Sequence, residues 1–210
     1  MVKEVWPYLF AGILLTVVLA WAAGLAYAVA AGIVTVGIAW FFRDPARVVA
    51  VNERHVLSPA DGRVVGIVPD AHPGQTGGPR VSIFLSIFNV HVNRAPAAGR
   101  ITGIRYQAGS FLPAFRDKAS ERNEQNLICM ETANGPVAFK QIAGAVARRI
   151  RCWKRAGDTV AQGDKVGFIT FGSRVDLFLP PNVEMKVTVG EKVRGGLTII
   201  AAYREEARTP

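Results

Sequence analysis

Between Val5 and Phe42 the chain has no Asp, Glu, Lys or Arg. That gap excludes an ordinary solvated surface, because a helix facing water carries charge along its outer side. Cysteine is scarce: Cys129 and Cys152 stand far apart, with no CxxC pair. This excludes a disulfide framework and a structural zinc site, and leaves the reduced thiols of a cytosolic domain. Histidine occurs only at His55, His72 and His91, so no metal site is expected. No RNP motif, zinc-finger spacing or aromatic-basic alternation is present, which argues against a nucleic-acid partner. Acidic residues are the minority: 25 Lys and Arg face 16 Asp and Glu, a net charge of +9. A basic domain beside an apolar segment suits an anionic lipid surface.

The apolar stretch from Trp6 to Phe42 is about twice the roughly 20 residues of a single span, and far longer than a signal-peptide core. Gly24, among the small residues Ala22 to Ala26, offers a breaking point. Two short helices are therefore expected, as a hairpin that spans the bilayer or dips into one leaflet. Trp6 and Tyr8 at one end, and Trp40, Phe41 and Phe42 at the other, suit the membrane interface. Lys3 precedes the segment; Arg43 and Arg47 follow it. Positive charge on both flanks predicts that both ends are cytoplasmic.

Phe42-Arg43-Asp44-Pro45 ends the helical part, so residues 1–44 are read as a membrane-associated hairpin and 45–210 as the soluble domain. Short runs punctuated by Gly and Pro follow: Gly62–Val68, Arg80–Ser86 and Val137–Ile142. They predict a mainly β domain of barrel-sandwich type. The segment Ser110 to Asn126 is the least strand-like, and a loop with a helical turn is expected there. Ala156–Val166 and Val189–Gly196 form a weak repeat of glycine-acid turns followed by valine. Such turns resemble those of biotinyl and lipoyl carrier domains, and Glu184-Met185-Lys186 offers Lys186 as an attachment point. A non-catalytic carrier is thus one alternative.

Three polar residues stand where strands and turns would present them. Asp61 lies in the Pro/Gly-bounded turn Ser58-Pro59-Ala60-Asp61-Gly62, and His91 in the alternating run Asn89-Val90-His91-Val92-Asn93-Arg94. Ser173 follows Gly172 between the β-like runs Val166–Thr170 and Val175–Pro180. Glycine tolerates a strained bend and leaves its carbonyl open, and a serine after it can attack that carbonyl if a base takes its proton. Asp61, His91 and Ser173 also form a possible hydrolase triad, so a membrane-bound serine hydrolase is the other alternative. Phe171-Gly172-Ser173-Arg174-Val175 lacks the second glycine of the G-x-S-x-G elbow.

Taken together, Ser58–Gly62, Asn89–Arg94, Asn123-Glu124 and Phe171-Gly172-Ser173 resemble the short (type A) form of the pyruvoyl-dependent phosphatidylserine decarboxylases over nearly the whole chain. The resemblance implies a proenzyme that cuts itself at Gly172-Ser173 into a β chain, 1–172, and an α chain, 173–210. It further implies that Ser173 becomes a covalent pyruvoyl group, with His91 as base and Asp61 orienting it. The substrate would be phosphatidylserine in an anionic membrane, decarboxylated to phosphatidylethanolamine through a Schiff base at the cytoplasmic face of the cell membrane, by a chain that forms a homodimer. Arg174, Asn123, Glu124 and Arg94 are the expected substrate-binding residues, with Arg105 a further possible phosphate contact and Asn123–Asn126 a lid. Two positions depart from the longer bacterial relatives: Phe88 stands where they carry a second histidine, and Arg174 where they usually carry threonine.

Overall fold

A computed structural model describes residues 1–69, 76–109, 123–144, 149–170 and 172–204. It divides into two compact units, Met1–Ala46 and Arg47–Pro210. The loop expected at Ser110–Asn126 lies outside the described residues up to 122, as do His72 and Phe171.

The first unit is the expected helical hairpin. After a 3-10 turn at Lys3–Val5, α1 runs Trp6–Ala22 with Pro7 in its first turn, where the missing N–H costs nothing. Gly24, at φ 99°, makes the reversal, and α2 runs Leu25–Phe41. The helices approach closely where residues are small. A Cβ added at Gly12 would lie 2.5 Å from Thr35 Oγ1. The hydroxyls of Thr16 and Thr35 donate back to the carbonyls of Gly12 and Ala31, both at 2.8 Å, so neither hydroxyl needs water. Trp6, Phe10, Leu14, Trp21, Ile33 and Trp40 are all exposed. Lys3–Ala22, 20 residues at mean hydropathy 1.9, is long and apolar enough to cross a membrane; Leu25–Phe41 is shorter.

The second unit is built of strands: β1 His55–Leu57, β2 Gly62–Val68, β3 Arg80–Leu85, β4 Val92–Arg94, β5 Gly99–Gln107, β6 Gln125–Thr132 and β7 Gly135–Ile142. There follow β8 Ile150–Cys152, β9 Thr159–Val160, β10 Lys165–Ile169, β11 Ser173–Phe178, β12 Val183–Met185, β13 Lys192–Val193 and β14 Ile199–Tyr203. An eight-stranded sheet has the order β13-β2-β3-β11-β7-β6-β5-β9, and two three-stranded sheets have the orders β4-β10-β8 and β1-β14-β12. The mainly β, barrel-sandwich-like expectation holds. The glycine-acid repeat also finds its place: β9 and β13 are the two outermost strands of the large sheet. The turns before β9 and β13 use Gly157 at φ 96° and Gly190 at φ 95°, a left-handed backbone that glycine adopts without steric cost.

The central strands bury most of their residues on both faces, polar positions included. β11 is the extreme case, with all six of its residues buried. Val175 and Leu177 point into the main cluster with Ile83, Leu85, Ile128 and Phe139. Burying side chains of this size stabilises by about 1.5–3 kcal/mol each.

Candidate active site

Two corners carry the chain between the small β4-β10-β8 sheet and the large one, and they run side by side. In the first, β3 ends at Leu85, a turn of Ser86 to Asn89 follows, and His91 leads into β4. In the second, β10 ends at Ile169 and β11 begins at Ser173. Ser173 pairs with Leu85 in the β11–β3 ladder, and the Ile169 N–H donates to the His91 carbonyl at 3.3 Å. The Gly-Ser pair was expected at a bend between two strands. The strands exist, but they do not pair with each other, so the bend is a corner between sheets. That is why Gly172 takes φ 59°, with open space around its α-carbon.

Ser173 is wholly buried, and its hydroxyl has no hydrogen-bond partner among the described residues. A buried hydroxyl left unsatisfied costs about 1–3 kcal/mol, so such an atom in a native interior marks chemistry or strain. His91 is also buried, its ring 6.2 Å from that of Phe168. Its Nδ1 lies 2.9 Å from the Asn89 carbonyl. A carbonyl only accepts, so Nδ1 carries the hydrogen and Nε2 is the basic nitrogen of the neutral ring.

The Asp61 turn lies against the same strand: the Arg94 N–H, three residues beyond His91, donates to Pro59 O at 2.9 Å. The carboxylate itself is held by Arg47, at 2.6 and 2.9 Å, and by the Gly195 N–H at 2.8 Å. Arg47 also donates to the Gly195 carbonyl, so one guanidinium ties the start of this unit to two loops. Arg47 was read in the sequence only as a flanking membrane charge; its structural partner is an acid.

Arg174 is buried, with Nε 2.6 Å from Asp176 and a terminal nitrogen 2.7 Å from Ser82 Oγ. Two buried charges of opposite sign satisfy each other there, next to Ser173 in the chain. Arg94 donates to Gly163 O at 3.0 Å. Asn123 donates to Ala143 O at 2.7 Å, while the Ala143 N–H donates to the Glu124 carbonyl at 2.9 Å. The Glu124 carboxylate accepts from the Tyr106 hydroxyl at 3.2 Å. This clasp adjoins Ile142, which pairs with Arg174 on one side and Gln125 on the other. Gln125 and Asn126 open β6 and are buried. Arg105 is exposed on β5.

A buried row of amides escaped the sequence reading. Asn126 donates to Gln141 Oε1 at 2.9 Å, and Gln141 donates to Asn93 Oδ1 at 2.8 Å. All three are buried, and Asn93 lies two residues after His91 on β4. The available signal was a glutamine inside the otherwise strand-like run Val137–Ile142. Cys152 borders this row; burial, and then the charge of Asp158, push its thiol pKa up despite its hydrogen bond to the Lys154 carbonyl and one with the Asn126 side chain. Burial likewise raises Cys129, against the opposing charge of Arg105. Neither is a poised nucleophile. Among the described residues no group of His, Cys, Asp and Glu could hold a metal ion.

The sequence model of phosphatidylserine decarboxylase matches residues 35–201, which include both corners and the Asp61 turn. The chain belongs to the phosphatidylserine decarboxylase family. A phosphatidylserine decarboxylase proenzyme of Ralstonia nicotianae is 43% identical over 201 residues, 95% of this chain and 94% of its own length. Proteins of the same name from Ruegeria pomeroyi and Syntrophus aciditrophicus are 48% and 47% identical, covering 80% and 78% of this chain and 79% and 78% of their own. Membership of a decarboxylase family leaves the serine-hydrolase and carrier alternatives without support. Lys186, the attachment point of the carrier alternative, pairs instead with Glu184 at 2.8 Å just after β12.

Proposed function

We propose that this chain is a self-processing proenzyme that decarboxylates phosphatidylserine to phosphatidylethanolamine, and that Ser173 is the source of its covalent pyruvoyl group. The observation that carries the reading is the fully buried Ser173 hydroxyl, without a described hydrogen-bond partner, directly after the strained Gly172 corner. The setting fits a pyruvoyl group. The position is dry, on a central strand of the sheet, and preceded by a glycine where an added side chain would meet nothing within 4 Å among the described residues.

His91 Nε2 takes the Ser173 proton, its orientation set by the Nδ1 hydrogen bond to Asn89. The Ser173 oxygen then attacks the Gly172 carbonyl, and the acyl group passes from nitrogen to oxygen. Elimination breaks the Cβ–O bond, leaving a carboxylate on chain 1–172. Water then releases ammonia from the new terminus of chain 173–210. Asp61 is assigned to stabilise the charge that His91 acquires, from a turn bonded to the same strand. A pyruvoyl group supplies the electron sink for loss of carbon dioxide, as pyridoxal phosphate does elsewhere. His91 is the residue assigned to return a proton afterwards.

Asn123 and Glu124 are proposed to border the head group, because their clasp with Ala143 flanks the row that holds Arg174. Arg174 and Arg94, both buried and bonded within the fold, enter as residues that hold the site's strands beside the head group. The charge-free hairpin is proposed to anchor the enzyme at the cytoplasmic face of the cell membrane, and the family resemblance extends the reading to a homodimer.

A denaturing gel with intact-mass measurement tests the proposal. Two fragments, 1–172 and 173–210, are expected, the smaller blocked at its amino terminus. Ser173→Ala should stay whole and inactive, and His91→Ala should accumulate uncut chain. Full activity from an unbroken polypeptide would overturn the reading.

A further inference from the structure

The turn between β3 and β4 presents two large apolar side chains to solvent. Ile87 is 49% exposed and Phe88 68% exposed. Isolated exposed hydrophobics are ordinary, but these two are adjacent at the tip of a closed turn. Asn89 Oδ1 accepts from the Ser86 N–H at 2.9 Å and from the Ser86 hydroxyl at 2.8 Å, and the Asn89 N–H donates to Ser86 O at 3.0 Å. Three bonds between the ends of the turn hold it shut without using either apolar side chain. The pair therefore projects from a rigid base.

That base is part of the reactive corner: Leu85 pairs with Ser173 on one side, and Asn89 holds His91 on the other. A second exposed row reaches the same corner. β8 is an edge strand, and Arg149, Arg151 and Trp153 alternate along its exposed side. The Thr170 N–H donates to Arg149 O, and the neighbouring Ile169 N–H donates to His91 O. An apolar tip and the Arg149 end of an exposed row that continues through Arg151 to Trp153 thus both adjoin the corner of His91 and Ile169.

We infer that the Ile87–Phe88 tip, together with the exposed row Arg149, Arg151 and Trp153, docks the catalytic unit on an anionic bilayer. This rests on the reading above, in which the reacting head group belongs to a lipid. The chemistry matches that occupant: apolar side chains enter the acyl boundary, tryptophan rests at the interface, and arginines meet anionic head groups. The net charge of +9 favours the same surface over a neutral protein face. Phe88, where longer relatives carry histidine, is in this account the deepest contact.

The experiment uses full-length protein in phosphatidylglycerol vesicles containing phosphatidylserine, and compares its rate there with its rate on a monomeric short-chain phosphatidylserine. Phe88→Asp and Ile87→Asp should each lower the vesicle-to-monomer ratio by roughly tenfold or more. Arg149→Glu should lower it less, by an amount that shrinks as salt rises. Phe88→Trp, in vesicles with brominated acyl chains, should show quenching beyond that of the wild type. An unchanged ratio in Phe88→Asp, or no added quenching in Phe88→Trp, overturns the inference. Should Phe88→Asp fail to fold, the Phe88→Trp quenching decides alone. Failure of the wild type to self-cleave or turn over the monomeric lipid would instead sink the underlying reading, so the two failures are distinguishable.

Discussion

The two units treat polar groups in opposite ways. In Met1–Ala46 both helical threonines, Thr16 and Thr35, bond their own helix backbone, and the large apolar side chains are exposed. In Arg47–Pro210 the apolar side chains close inward, and polar groups are buried among them in pairs and rows: Arg174 with Asp176, Arg47 with Asp61, Asn126 with Gln141 and Asn93. The first unit thus satisfies its threonine hydroxyls by local bonds and exposes an apolar surface. The second depends on long-range partners, each costly to lose.

The strongest way to break that contrast is to strand one buried charge. Asp176→Ala leaves the Arg174 guanidinium without its carboxylate and should cost about 3–5 kcal/mol. In detergent, denaturant unfolding followed by circular dichroism should show early loss of the strand signal, with the helical signal retained. If both units melted together, their independence would be refuted. Next comes a matched pair of truncations. Leu177→Ala, in the core, should cost about 2–5 kcal/mol, whereas Leu14→Ala, exposed on α1, should stay within about 0.5 kcal/mol in the same detergent.

Gln141→Leu interrupts the amide row and leaves two buried amide groups short of a partner. A cost of about 1–3 kcal/mol is expected, with slower self-cleavage, since Asn93 shares β4 with His91's strand end. Time courses of fragment appearance measure it; a wild-type rate would make the row purely structural. Gly12→Leu acts only on the hairpin, where its Cβ has no room beside Thr35. It should loosen the helix pair, seen by cross-linking, and leave strand unfolding unmoved. The smallest effect concerns the thiols. Because burial raises the Cys129 and Cys152 pKa values, less thiolate exists at neutral pH. Alkylation of the native protein should be slower than that of the unfolded chain, with its rise shifted toward alkaline pH.

Much of this was legible in the residues. A stretch without charge, broken at Gly24, gives two helices because its apolar residues suit helix and the glycine accepts the positive φ of the reversal. Glycine-punctuated runs rich in β-branched side chains define strands; the β2 run Gly62–Val68 lies where its pattern put it. Family membership was legible too, since Ser58–Gly62, Asn89–Arg94 and Gly172-Ser173 are short local signatures. Less legible were the partners of the charged residues. Arg47 looked like a membrane flank, and nothing beside Arg174 in the chain pointed to Ser82, because a side chain's sequence neighbours do not reveal which strand will face it.

The order of residues alone determined which segments are helix and strand, and that a serine follows a glycine flexible enough to bend sharply. Those are properties of single residues and of periods two to four residues long. Only the tertiary structure decided that the Gly-Ser bend is a corner between sheets, that the His91 corner runs beside it, and that the hydroxyl of Ser173 is sealed from water. Such facts depend on strand order and burial, which are set by residues far apart in the chain, such as Leu85 and Ser173.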